Sequence, residues 1–261
     1  MSSGHNNNMD TLLSAFLSYS SAELAAIAGA NAVYLGLTFI PPVLWLLFYL
    51  REDAHPEPKR FLLLTFLGGM GAALLAVAAE MFFLGDQNGV FSLQAQTTER
   101  ILFVFLAIGL IEEYTKYLPV KFLMLRRPDF DEPIDAMIYM MTAALGFAAM
   151  ENALFLLPVF YQNAFAGLEI ATNRFLGANL LHALSSGIVG FFLARAWFHP
   201  KRTHFIAVGI VLAALLHTGF NYLILEQHTL GQATLYLVFL LSFMTVMVLV
   251  DFERLKRGAR T

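Results

Sequence analysis

Cysteine is absent from all 261 residues, which excludes a thiol nucleophile, thiolate metal ligands and disulfide bridges. Charge is scarce as well: Asp, Glu, Lys and Arg make up 13% of the chain, against about 25% in a soluble domain. No Lys or Arg precedes Asn31, so the N-terminal segment lacks the positive region of a secretory signal and is expected to stay on the protein. No glycine-rich phosphate loop, nucleic-acid module, low-complexity tract or internal repeat is present, which implies one domain with no nucleic acid among its partners. Several hydrolase signatures are missing too. There is no His-Glu-x-x-His, no Gly-x-Gly-Asp inside an apolar stretch (Gly85-Asp86 falls between two) and no Gly-x-Ser-x-Gly. The last apolar stretch holds no lysine, which argues against a retinal-binding seven-helix protein.

What the chain has instead is hydrocarbon. Hydrophobic residues make up 58% and the mean hydropathy is +0.66, values of an integral membrane protein. Crossing a bilayer core of about 30 Å takes about 20 helical residues. Seven stretches reach that length, at 30–50, 61–84, 100–124, 134–158, 175–197, 205–225 and 232–250. Backbone polar groups in lipid must be satisfied within the chain, so the predicted fold is an all-α polytopic bundle. If the first span exits at Arg51, 14 of the 16 Lys and Arg fall on one side, Lys116 counted among them, and only Arg100 and Arg174 fall on the other. The positive-inside rule then sets the N-terminus outside and the C-terminus in the cytoplasm. This divides the chain into an extracytoplasmic segment at 1–29, a transmembrane domain at 30–250 and a basic cytoplasmic tail at 251–261. Within the first, Leu12, Leu13, Phe16, Leu17 and Leu24 have helical spacing, as expected of a helix lying on the outer surface.

Ionisable residues inside the spans carry the functional signal, because each costs about 2.5 to 3.5 kcal/mol at mid-membrane on insertion scales unless it faces a partner or trapped water. Glu112, Glu113 and Lys116 share the third span, with the lysine one turn beyond both acids. Desolvation, repulsion and the lysine are expected to make an acid and a base of two like side chains. In the fourth span Glu151 stands beside Asn152 with no basic residue within a turn, so its partner must come from another helix. Asp131-Glu132-Pro133-Ile134-Asp135 reads as the start of that helix, which makes Asp135 structural. His182 in the fifth span is followed by Ser185, Ser186, Gly187 and Gly190, small residues expected to serve close packing. His217 and Asn221 lie four apart on one face of the sixth span and could both donate to one developing oxyanion. From the expected span limits, Glu151, His182, His217 and Asn221 lie about 6 to 14 Å below the outer edge and Glu112 about 18 Å below it. Glu80, near the outer end of the second span, could line the same cavity, although an interfacial carboxylate is the plainer reading.

In their order along the chain, Glu112-Glu113-x-x-Lys116, Phe147-Ala-x-x-Glu151-Asn152, His182 and His217-x-x-x-Asn221 resemble the motifs of the PrsW-type intramembrane proteases. Glu132-Pro133-x-Asp135 also looks like the family, and the likeness covers roughly residues 100–225. The pattern is similar in turn to that of the CAAX prenyl endopeptidases, from which it departs where Glu151 replaces a histidine. The resemblance implies hydrolysis of a peptide bond in a membrane-anchored protein, such as an anti-sigma factor, in a bacterial plasma membrane. By the same resemblance Glu112 is the general base, His217 and Asn221 are oxyanion donors, and His182 takes the place of the missing imidazole. Glu113 and Glu151 complete the catalytic set, with Lys116, Asn152 and Phe147 supporting it. The residues themselves leave two ways of activating water, by carboxylate and imidazole alone or on a single zinc held by Glu112, Glu151, His182 and His217. A proton-coupled transporter or an inactive scaffold is the alternative class, since transporters also bury Glu and His.

Overall fold

The computed structural model describes residues 21–53, 55–84, 97–197, 202–228 and 231–258. Their main elements are the helices α1 (Ser21–Tyr49), α2 (Lys59–Leu84), α3 (Thr98–Pro119), α4 (Pro133–Gln162), α5 (Ala164–Leu176), α6 (Ala178–Trp197), α7 (Arg202–Leu225) and α8 (Ala233–Gly258), and no strand occurs among the described residues. Six helical stretches are long and apolar enough to cross a membrane, and they take in every helix except α3. With 22 residues, α3 reaches about 33 Å, so it is long enough to be the seventh. Its composition is spoiled by Glu112, Glu113 and Lys116, all of them buried. The chain is an integral membrane helix bundle, and the charge on α3 is turned inward. Lys116, which the sequence count assigned to the cytoplasmic side, is fully enclosed and is no loop charge. Without it, thirteen basic residues fall on the side expected to be cytoplasmic and two on the other.

Of the expected outer-surface segment, residues 1–20 lie outside the described residues, and from Ser21 onward the chain is already in α1. The connection expected at 159–174 is helical. The fourth span runs on to Gln162, and the Asn163 side chain then accepts from the N–H groups of Phe165 (3.0 Å) and Ala166 (3.1 Å), capping α5. Gly177 separates α5 from α6. The Trp45 indole donates to the Phe175 carbonyl (2.8 Å), fastening the end of α5 to α1.

α4 is the axis of the bundle, buried on every side from Ile134 to Ala149. Its start is fixed as the sequence suggests: Pro133 occupies the first turn, and the Asp135 carboxylate accepts from the N–H groups of Asp131 (2.9 Å) and Glu132 (2.8 Å). Tyr139 donates to Glu57 (2.6 Å) in the α1–α2 connection, while Asp53 accepts from the N–H groups of His55 (2.9 Å) and Glu57 (3.2 Å). Burial raises the pKa of both Asp53 and Glu57. Glycines let the neighbouring backbones come close. Gly69 on α2 faces the Ala143 carbonyl, Gly146 on α4 faces the Phe66 carbonyl, and Gly190 on α6 rests on Met137.

At Gly69 a methyl group would meet backbone, which cannot swing away, whereas the space at Gly71 is open. Gly69→Ala is therefore expected to cost about 1 to 3 kcal/mol by overpacking. Thermal unfolding in detergent should show a lower Tm for Gly69→Ala and none of that loss for Gly71→Ala.

Candidate active site

Polar residues of α3 and α6 converge on Lys116. Its ammonium group, enclosed by the bundle, donates to Glu113 (2.8 Å) and Glu112 (3.2 Å) on its own helix and to Nδ1 of His182 on α6 (2.8 Å). The ring of Phe147, from α4, covers it at 4.5 Å. The pairs to Glu112 and Glu113 follow from helical spacing of four and three residues. The contact with His182 depends on the packing of α3 against α6.

Glu113 is fully engaged. Besides Lys116 it accepts from Ser185 (2.9 Å) and Ser186 (3.0 Å), and Nδ1 of His217 lies 3.3 Å away. Sequence reasoning read these serines as packing residues. A serine beside a glycine stripe carries no sign of a carboxylate arriving from another helix. Glu151, the partnerless acid of α4, is hydrogen-bonded to Nε2 of His182 (2.7 Å) and forms an ion pair with the Arg174 guanidinium (2.9 Å). Arg174 also donates to Asn152 (2.6 Å), whose amide donates to Asn179 (2.9 Å) and to the Thr38 carbonyl (3.2 Å). Arg174 and Asn179 were missed in the sequence. The one available signal was that Arg174 is among the two basic residues on the side otherwise poor in them.

For neutral imidazoles these contacts fit one set of tautomers. The N–H of His182 is on Nε2, donated to Glu151, which leaves Nδ1 as the acceptor. His217 donates from Nδ1 to Glu113, leaving Nε2 with its lone pair free. Both lone-pair nitrogens lie 3.8 Å from the same Glu112 oxygen. The two rings meet edge to face, with centroids 5.3 Å apart. A neutral His217 spends its proton on Glu113 and has none left for an oxyanion. Asn221, one turn further along α7, is half-buried. Glu80 on α2 lies within electrostatic reach of Glu112, Glu151 and Lys116, so it borders the site rather than standing apart at the interface.

The donor set fits a metal ion. One ligand atom each from Glu112, His182 and His217 can be chosen so that all lie within 4.8 Å of one another. Two imidazoles and one carboxylate form a common zinc ligand set that leaves a position for water. Metal-binding histidines usually give their other N–H to a carboxylate. Both do so here, His182 to Glu151 and His217 to Glu113. Glu151, expected as a fourth ligand, stands behind His182 and is no member of this group. A cation at this place would take the His182 Nδ1 lone pair from Lys116, which keeps its two carboxylates.

Residues 57–250 match the family described as PrsW family intramembrane metalloprotease. Among curated proteins, the chain is similar to Protease PrsW of Geobacillus kaustophilus, 32% identical over 185 residues covering 70% of this chain and 76% of that one. It is 28% identical to Protease PrsW of Halalkalibacterium halodurans over 222 residues, covering 83% and 93% of the two chains. For Protease PrsW of Shouchella clausii the identity is 26% over 241 residues, covering 92% and 98%. No solved structure matches the chain.

Removing one partner of a buried ion pair leaves an uncompensated charge, at a cost of about 3 to 5 kcal/mol. Lys116→Met is accordingly expected to lower Tm strongly. The double variant Lys116→Met/Glu113→Gln should lose less than the sum of the single variants, because the stranded charge is gone. Strictly additive losses in a thermal-unfolding cycle would show that the two side chains do not depend on each other.

Proposed function

The chain belongs to the PrsW family of intramembrane metalloproteases, and we propose that it hydrolyses a peptide bond of a membrane-anchored protein in the outer half of the bilayer. An anti-sigma factor is a substrate of the kind this reading implies. Its main support is the convergence of Glu112, His182 and His217, with a separate carboxylate behind each imidazole. A transporter would need paired polar sites open to either face, and nothing in the site favours that reading.

Each group has a task suited to its surroundings. Glu113 and Glu151 are held by donors and act through the rings they orient, so they are positioning residues. Glu112 is the carboxylate that faces the shared centre. A water molecule there forms a bond to the scissile carbonyl carbon and gives its proton to Glu112, which passes it to the nitrogen as the C–N bond breaks. General acid–base transfer of this kind contributes about 10² to 10⁴-fold. The half-buried Asn221 carboxamide is the donor to the oxyanion, a role worth about 3 to 4 kcal/mol. His217 turns its proton towards Glu113, so it does not share that role. Glu112, His182 and His217 would hold a single zinc. Zinc supplies Lewis-acid polarisation of the carbonyl and a water acidic enough to ionise near neutral pH. Phe147 and Lys116 close the floor of the site and keep bulk water from Glu113.

At about 1.5 Å per residue, His182, His217, Glu151 and Glu112 lie about 6, 12, 17 and 21 Å from the outer ends of their helices. With the imidazoles in the outer half and Glu112 just past the middle of its helix, the cut should fall near the midplane of the substrate's membrane segment or on its outer side. Mass mapping of the fragments of a single-span substrate tests this, and a cut on the cytoplasmic side would contradict it.

Purified active protein is expected to carry one zinc per chain and to lose cleavage on chelation. Glu112→Gln, His182→Ala and His217→Ala should each lose both metal and activity while keeping their helix content. Full cleavage by metal-free protein in chelator would leave the carboxylate–imidazole scheme in place of the metal one. Arg174→Gln removes a charge-assisted bond worth about 1.5 to 3 kcal/mol. It should lower kcat about tenfold to a hundredfold, with partial recovery in Arg174→Lys, and an unchanged kcat would remove Arg174 from the site.

A further inference from the structure

A groove of about 620 Å³ lies between α3 and α7 at their cytoplasmic ends, on the side of α3 away from the site. Tyr114, Ile206, Ile210 and Val211 form its apolar wall, and Lys121 and Arg126 stand at its rim. Tyr114 and Val211 are each 48% exposed, so the wall faces the surroundings of the bundle. No carboxylate lines the groove. Lys121 sits over the rings of Tyr117 (5.9 Å) and Phe122 (5.3 Å), and neither Lys121 nor Arg126 forms an ion pair among the described residues. Two other cytoplasmic cations are paired with carboxylates. Lys256 is paired with Glu52 (2.6 Å) and Glu253 (3.1 Å), and Arg254 with Asp251 (3.4 Å). A second cavity of about 470 Å³, beside α8, contains both Glu253 and Arg254 and so has no single sign of charge.

An apolar cleft facing lipid, capped by two unneutralised cations at the level where headgroups lie, has the chemistry of a phospholipid with net negative charge. Two cations at the rim and no carboxylate among the lining residues favour an anionic headgroup over an apolar transmembrane segment as occupant. We propose that this groove is a binding site for an anionic glycerophospholipid of the cytoplasmic leaflet, whose phosphate lies between Lys121 and Arg126 and whose acyl chain fills the cleft between α3 and α7. The two helices it joins are those that carry Glu112 and His217. A lipid seated there braces the seam between acid and imidazole from the side opposite the substrate. The proposal is independent of the hydrolytic reading and survives its failure.

Native mass spectrometry of the detergent-purified full chain, titrated with phosphatidylglycerol or phosphatidylcholine, tests it. The anionic lipid should be retained and the zwitterionic one should not. At about fivefold per cation, Lys121→Gln/Arg126→Gln should weaken phosphatidylglycerol binding about 25-fold, while Arg257→Gln leaves it unchanged. Equal retention of the two lipids, or undiminished binding by the double variant, overturns the proposal. A second measurement needs no loss of charge. Because the chain has no cysteine, Ala207→Cys in the groove lining can carry a single fluorescent label. Brominated phosphatidylglycerol at low mole fraction should quench that label more than brominated phosphatidylcholine does, and equal quenching overturns the proposal.

Discussion

Lys116 is the one lysine or arginine fully enclosed by the bundle among the described residues, and the arrangement of the site depends on its ammonium group. Glu113, with no exposure of its own, is tolerable in such surroundings because Lys116, Ser185, Ser186 and His217 converge on it. Three of those four donors come from α6 and α7, so the same bonds that satisfy the carboxylate fix how those helices sit against α3. A charge in hydrocarbon is costly unless paired, and an ion pair is tolerated only with good geometry and satisfied remaining valences. Folding therefore admits few arrangements of α3, α6 and α7. The one that satisfies Glu113 also points His182 and His217 towards Glu112.

α4 turns that local requirement into a fold. Its glycine contact with α2 and the contact of Gly190 on α6 with its backbone leave little room for sliding. Phe147 and Glu151, one turn apart on α4, then meet Lys116 and His182 respectively. The second layer of polar residues is built from the outer end. The Asn163 cap starts α5, Gly177 ends it, and the short helix delivers Arg174 to Glu151 and Asn152. Stability and function use the same side chains here, which is why substitutions in this region need a structural readout beside an activity one.

Much of the fold could be read from length and hydropathy, because a bilayer imposes one period and one minimum length on every span. Even α3 was recognisable as a span, since its acids and lysine are grouped within five residues in an otherwise apolar stretch. Residues that carry their chemistry in their identity, such as Glu112, His182 and His217, could be picked out singly. Their partners could not. Ser185 and Ser186 look like packing residues, and Arg174 looks like a flanking charge, until a carboxylate from another helix is placed beside them. Lys116 was counted with the cytoplasmic loops because distance from a span's end is known only to a turn or so. The joint donation expected of His217 and Asn221 turns on something else that spacing does not carry. Spacing of four shows that two side chains share a face, but not which ring nitrogen bears the proton, and that is decided by Glu113 on α3.

A formal count of charge connects these observations. Three carboxylates, Glu112, Glu113 and Glu151, share the cluster with two permanent cations, Lys116 and Arg174. Glu113 belongs mainly to Lys116, by the shorter of the two bonds, and Glu151 to Arg174. With both imidazoles neutral, the surplus negative charge rests on Glu112, at the one place where two imidazole lone pairs also converge. A low-dielectric interior strengthens every uncompensated interaction, so a lone surplus charge there attracts a cation or a proton strongly. Water that gives up a proton meets this need in one way and a divalent ion in another. Both routes lead to the same carboxylate. The charge balance of these five groups thus sets Glu112 apart from the other two acids, in keeping with the role proposed for it.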